Sequence, residues 1–96
     1  MGQGYGISEE VQVRKGRVKD VNFDSYIIPT AMDAPEMQVN IFECSDEAGT
    51  YGAKSVGEPA TEAVAAAIAN AVYNATGRRV RENPCTLESV LLGKKL

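Results

Sequence analysis

Val64, Ile68 and Val72 recur every four residues, with Ala65, Ala67, Ala71 and Ala75 set beside them. That spacing puts three β-branched side chains on one stripe of a helix whose remaining surface is small, and it predicts a single helix from about Pro59 to Ala75. Pro59 suits the first turn because its missing N–H would have had no partner there. Gly77 supplies the stop. A stripe of this kind must be covered, and the expected cover is a sheet built from the residues before it.

Those residues read differently. Residues 1–60 hold ten acids and five bases and are rich in Gly, Pro and alternating Val, whereas residues 61–96 hold three acids and five bases. Ninety-six residues suffice for one modest core and not for two domains. The expected fold is α+β, a few mostly antiparallel strands with two helices, with strands and loops over 1–58 and helices over 59–96. Val11, Val13 and Val18 flank Lys15-Gly16, the pattern of a hairpin with one wet face. Met37, Val39 and Ile41 alternate with Gln38 and Asn40, which predicts a half-buried strand. Asn22 to Pro35 is an irregular crossing segment pinned by Tyr26-Ile27-Ile28. Val80 to Glu82 reads as a short extended piece. Thr86 is a good N-cap for a second helix with Glu88 in its first turn, Leu87, Val90 and Leu91 on one face, and Lys94 and Lys95 near its end.

Several function classes are excluded early. The chain has no histidine, so Ser-His and Cys-His pairs and imidazole metal sites are absent, and proton chemistry falls to a carboxylate, Lys, Tyr or Cys. A net charge of −3 gives no field to hold a polyanion, so nucleic acid is not an expected partner. Cys44 and Cys85 form no CxxC and read as plain thiols, with no metal site. The apolar run from Ala63 to Val72 is too short for a bilayer and is broken by Asn70. No basic segment followed by an apolar one opens the chain, so the expected address is cytoplasmic.

Three glycine clusters invite a ligand. Gly2, Gly4 and Gly6 lack the preceding strand and the acidic residue of a dinucleotide fingerprint, and read as a flexible or closely packed chain start. Gly49-Thr50-Tyr51-Gly52-Ala53-Lys54-Ser55 misses a phosphate loop by one residue, though backbone N–H groups there could still take an anion. Gly57-Glu58-Pro59 places a carboxylate where a loop meets a helix, either to complement the helix dipole or to do chemistry.

The run from Tyr51 to Pro59 resembles the C-terminal active-site loop of the molybdenum hydroxylases, the xanthine dehydrogenase and aldehyde oxidase family, whose pattern is approximately Y-[GA]-[AS]-K-[GAS]-V-G-E-P-P. The resemblance extends over nearly the whole chain, through Gly4 to Glu10, Phe23 to Pro35, Ala65 to Gly77 and Asn83 to Leu92. Ala60 stands where the family has a second Pro, and Ser55 where Gly is commoner.

The resemblance implies that Glu58 is a general base in the hydroxylation of an N-heterocycle or aldehyde with water. It further implies that Lys54, Ser55, Val56 and Gly57 run along a molybdenum-molybdopterin cofactor, chiefly through backbone groups. FAD and [2Fe–2S] clusters would lie on other domains or subunits. The family's large subunit is several times longer, so the chain reads as a C-terminal fragment of a larger molybdenum-binding domain, inactive alone. Its expected partners are the remainder of that subunit, the FAD and iron–sulfur parts and a small-molecule substrate, with self-association of the fragment possible. The rival readings are a non-catalytic binding or assembly module using the Gly49 to Gly57 loop for an anion, and a phosphate-handling enzyme.

Overall fold

The computed structural model describes residues 1–93. In chain order it holds α1 (Gly2–Ile7), a hairpin of β1 (Val13–Arg14) and β2 (Arg17–Val18), 3-10 turns at Ala31–Asp33 and Thr50–Gly52, α2 (Pro59–Glu62), α3 (Val64–Thr76) and α4 (Leu87–Leu92). This is an α+β arrangement with two antiparallel strands.

The alanine helix docks on α1 and not on a sheet. Gly2 and Gly6 lie one turn apart on one face of α1, and both are buried. A Cβ on Gly2 would sit 2.6 Å from Val64 Cβ, and one on Gly6 would sit 2.8 Å from Ile68 Cδ1. The missing side chains let the two helices approach closely, most tightly at Gly2, so the glycines at the chain start are a close-packing device. Gly4 faces the other way, towards the Glu9 carboxylate and Pro29. The expected sheet cover fails for a physical reason: each strand of the hairpin is two residues long, and Val13 and Val18 are themselves exposed.

The hairpin itself forms as its turn chemistry requires. Lys15 and Gly16 both have positive φ, 51° and 75°, which two-residue turns use to match the strand twist. Val13 pairs with Val18 and Arg14 with Arg17.

The helix expected as one piece is two. Ala60 and Thr61 donate backwards to Gly57 and Glu58 at 3.3 and 2.9 Å, so the opening turn is wound with 3-10 bonds, and the α register restarts at Val64 after Ala63. Pro59 occupies the first position and Gly77, at φ 71°, closes α3. Beyond it Val80 is buried without forming a strand, and the Cys85 N–H donates to Gly6 O at 2.7 Å, tying the later segment to α1. Thr86 caps α4 by accepting from the Ser89 N–H at 3.2 Å. Lys94 and Lys95 lie outside the described residues.

Met37 to Ile41 forms no strand. The segment is solvent-exposed and pairs with no other described segment. Exposure is general: the surface is 8296 Å2, against roughly 5,400 Å2 for a compact monomer of this mass. The radius of gyration is 16.9 Å, against about 12–13 Å for a compact chain of this length. Val80 alone among the large apolar side chains described is buried. Among the described residues, no helix is long and apolar enough to cross a membrane.

Candidate active site

The candidate site is the run from Asp46 to Pro59, in two parts with opposite hydrogen-bonding habits. The first part closes on itself. Asp46 N–H donates to Gly52 O, Gly49 N–H to Asp46 O, Gly52 N–H to Gly49 O and Ala53 N–H to Thr50 O, all between 2.9 and 3.2 Å. Asp46 Oδ1 also accepts from the Ala48 N–H at 2.9 Å. Gly52 has φ 78° and a Cβ there would sit 3.0 Å from Ser45 Cβ, so a side chain would be both strained and crowded. These N–H groups are used internally, beside the Asp46 and Glu47 carboxylates. The N–H groups of Gly49, Gly52 and Ala53 are thus taken by the loop's own carbonyls.

Tyr51, which sequence reasoning did not single out for its conformation, sits at φ 54°, ψ 26° with its side chain fully exposed. A non-glycine residue in the left-handed region costs about 1–2 kcal/mol, here held by the bonds on either side of it. The neighbouring Gly49 and Gly52 were the available signal.

The second part is open. Among the described residues, Lys54, Ser55, Val56 and Gly57 donate no backbone hydrogen bond, and all four are exposed. A Cβ on Gly57 would meet nothing within 4 Å. The run ends at Glu58, whose backbone is already helical at φ −60°, ψ −44° and whose side chain does not cap α2. Its carboxylate is exposed and accepts a long hydrogen bond from Ser55 Oγ, 3.4 Å to Oε2. Its carbonyl takes both the N–H and the hydroxyl of Thr61, at 2.9 and 2.8 Å. Main-chain bonds thus fix the Glu58 backbone while its side chain projects from the start of α2.

The structure therefore joins Ser55 to Glu58 by a hydrogen bond and strings Lys54, Val56 and Gly57 along the same open backbone. Beside α2 lies a cleft of about 490 Å3, lined by Met1, Pro29, Pro35, Met37, Ala60 and Val64. No group of three or more His, Cys, Asp or Glu side chains able to hold a metal ion occurs among the described residues. What the run offers a ligand is donors: the N–H groups of Lys54 to Gly57 and the Lys54 ammonium.

Three further contacts escaped sequence reasoning because they join residues well beyond one helical turn of each other. Tyr26 donates its hydroxyl to Glu9 Oε2 at 2.6 Å. The Arg79 guanidinium stacks 3.7 Å from the Tyr73 ring centroid and donates to Asn70 Oδ1 at 2.7 Å.

No protein-family model matches the chain. Individual proteins do. It is 42% identical over 94 residues, 95% of its length, to the aldehyde oxidoreductase molybdenum-binding subunit PaoC of Escherichia coli. It is 39% identical over 90% of its length to a xanthine dehydrogenase molybdenum-binding subunit of Escherichia coli. It is 35% identical over 95% of its length to a Bacillus subtilis protein named as a probable subunit of xanthine dehydrogenase. The chain spans only 13%, 12% and 12% of the lengths of these relatives. The two Escherichia coli relatives are thus named as molybdenum-binding subunits, of aldehyde oxidoreductase and of xanthine dehydrogenase, and the likeness is to a segment of each.

Proposed function

We propose that this chain is a C-terminal segment of the molybdenum-binding subunit of a cytoplasmic hydroxylase of the xanthine dehydrogenase and aldehyde oxidase type, with Glu58 as its general base. The observation that carries the reading is the likeness at 42% identity over 95% of the chain to a molybdenum-binding subunit. The excess surface and large radius of gyration support the segment reading independently, since a chain that buried its own core would expose far less.

The donor set fits an anionic organic cofactor better than a bare metal ion. The free N–H groups of Lys54 to Gly57 and the Lys54 ammonium would hold a molybdenum-molybdopterin cofactor through hydrogen bonds, without a direct protein ligand from this segment. When bound, that cofactor supplies the oxidising equivalents. The work of this chain is positioning and proton transfer. Glu58 accepts a proton at its carboxylate as a water-derived oxygen is activated for attack on an electron-poor carbon of an N-heterocycle or aldehyde. The Ser55 hydroxyl orients that carboxylate. FAD and [2Fe–2S] centres on other domains or subunits would carry the electrons away.

The test is a chimera of the Escherichia coli aldehyde oxidoreductase molybdenum-binding subunit in which the homologous segment is replaced by residues 1–96. The expected result is a folded subunit with full molybdenum content. A folded subunit that has lost its molybdenum, or a chimera that does not fold, contradicts the proposal. The 96-residue chain alone is expected to bind no molybdenum cofactor, because convergent contacts from other segments are missing.

A further inference from the structure

We propose that residues Glu36 to Glu43 are a β-strand whose pairing edge lies in the remainder of the subunit and is basic. The inference rests on the reading of the chain as a segment of a larger subunit. Met37, Val39 and Ile41 alternate with Gln38 and Asn40, and their side chains are 71%, 78% and 86% exposed. From Ala34 to Glu43 no backbone N–H or C=O is bonded among the described residues, a longer such stretch than Arg79 to Pro84. A period-two apolar face with every ladder group unpaired is the pattern of a strand without its sheet. Pro35, which has no N–H, marks where a ladder cannot extend.

Two occupants of that edge are conceivable, a second copy of the chain and the rest of the subunit, and charge decides between them. Between residues 33 and 47 stand Asp33, Glu36, Glu43, Asp46 and Glu47, with no Lys or Arg. Self-pairing would bring two such acidic sets together, whereas an edge flanked by Lys or Arg would neutralise one. The relatives are long enough to supply it, since this chain spans 13% of the first of them. The Met37 side chain already lines the cleft beside α2, so pairing here would seat the partner edge next to the candidate site.

The experiment is hydrogen–deuterium exchange on the free chain and on the chimeric subunit, with molybdenum content measured on the same samples. In the free chain the amides of Met37 to Glu43 are expected to exchange as in an unstructured peptide at every protein concentration. In the chimera they should slow by about 10²-fold or more. Val39→Pro should erase that protection, and Glu43→Lys should reduce it in a salt-dependent way. Protection in the free chain that rises with concentration would assign the edge to a second copy and overturn the proposal. So would a chimera that carries full molybdenum yet leaves these amides unprotected, which would leave the subunit reading intact. A folded chimera without molybdenum whose amides are protected would instead sink the subunit reading and keep the strand, and a chimera that does not fold counts against both.

Discussion

The Tyr26 hydroxyl donates a 2.6 Å hydrogen bond to Glu9 Oε2, joining the crossing segment to the residue just beyond α1. The bond to this carboxylate, with partial burial and the nearby negative charge behind it, pushes the phenol up from 10.0 to about 12. A group whose folded pKa lies above its unfolded value stabilises fully below the unfolded value and loses that contribution as the pH rises through the folded one. The tie between the crossing segment and α1 should therefore hold to about pH 10 and weaken up to about pH 12. An absorbance titration of the phenols should show one late ionisation that vanishes in Tyr26→Phe, and an unchanged titration in that variant would contradict the assignment.

The two glycines that face α3 should not respond alike to alanine. At Gly2 the new methyl group meets the Val64 branch point at 2.6 Å, with both γ-carbons within 3.0 Å, so no rotation relieves it. Overpacking of this kind costs about 1–3 kcal/mol. At Gly6 the nearest atom is the mobile Ile68 Cδ1 at 2.8 Å, and alanine also gains about 1 kcal/mol of helix propensity. Gly2→Ala should raise amide exchange in α1 and α3, while Gly6→Ala should be close to neutral. The reverse order would show that α1 does not pack in this way.

Thr86→Ala removes the acceptor that Ser89 N–H uses at the start of α4. Loss of such a cap typically costs about 1 kcal/mol, and the amides of the first turn should exchange several-fold faster. Thr86→Ser, which keeps the oxygen, should leave them unchanged.

Both cysteines are free thiols, Cys44 exposed and Cys85 half-buried. A thiol reagent should modify Cys44 first and Cys85 more slowly, with no disulfide to reduce beforehand. Equal rates at both positions would mean that the contact between Cys85 and α1 opens freely in solution.

What the sequence made legible is what short-range chemistry decides. Pro59, Gly77, Thr86 and the Lys15-Gly16 turn act within three or four residues of themselves, and each does what its type requires. The docking of Val64 and Ile68 on glycines 62 residues away was not legible, because glycine carries no pattern that names its partner. Met37 to Ile41 shows the converse, a strand pattern that pairs with no described segment. At the candidate site, the place of Glu58 between loop and helix could be read directly. The left-handed Tyr51 and the internally bonded Asp46 to Ala53 loop could not, since they depend on which carbonyl each N–H finds.

The central claim concerns Glu58, and turnover of the chimeric subunit carrying Glu58→Gln tests it most directly, with Glu62→Gln one turn along as the control. Glutamine keeps the shape and the Ser55 contact but cannot accept the proton. At equal molybdenum content, kcat should fall by at least about 10²-fold for Glu58→Gln and stay near the unsubstituted value for Glu62→Gln. A helix-dipole role for Glu58 would cost only about 0.3–1 kcal/mol of stability and leave turnover intact. Unsubstituted turnover by a fully molybdenum-loaded Glu58→Gln subunit across the pH profile would contradict the account.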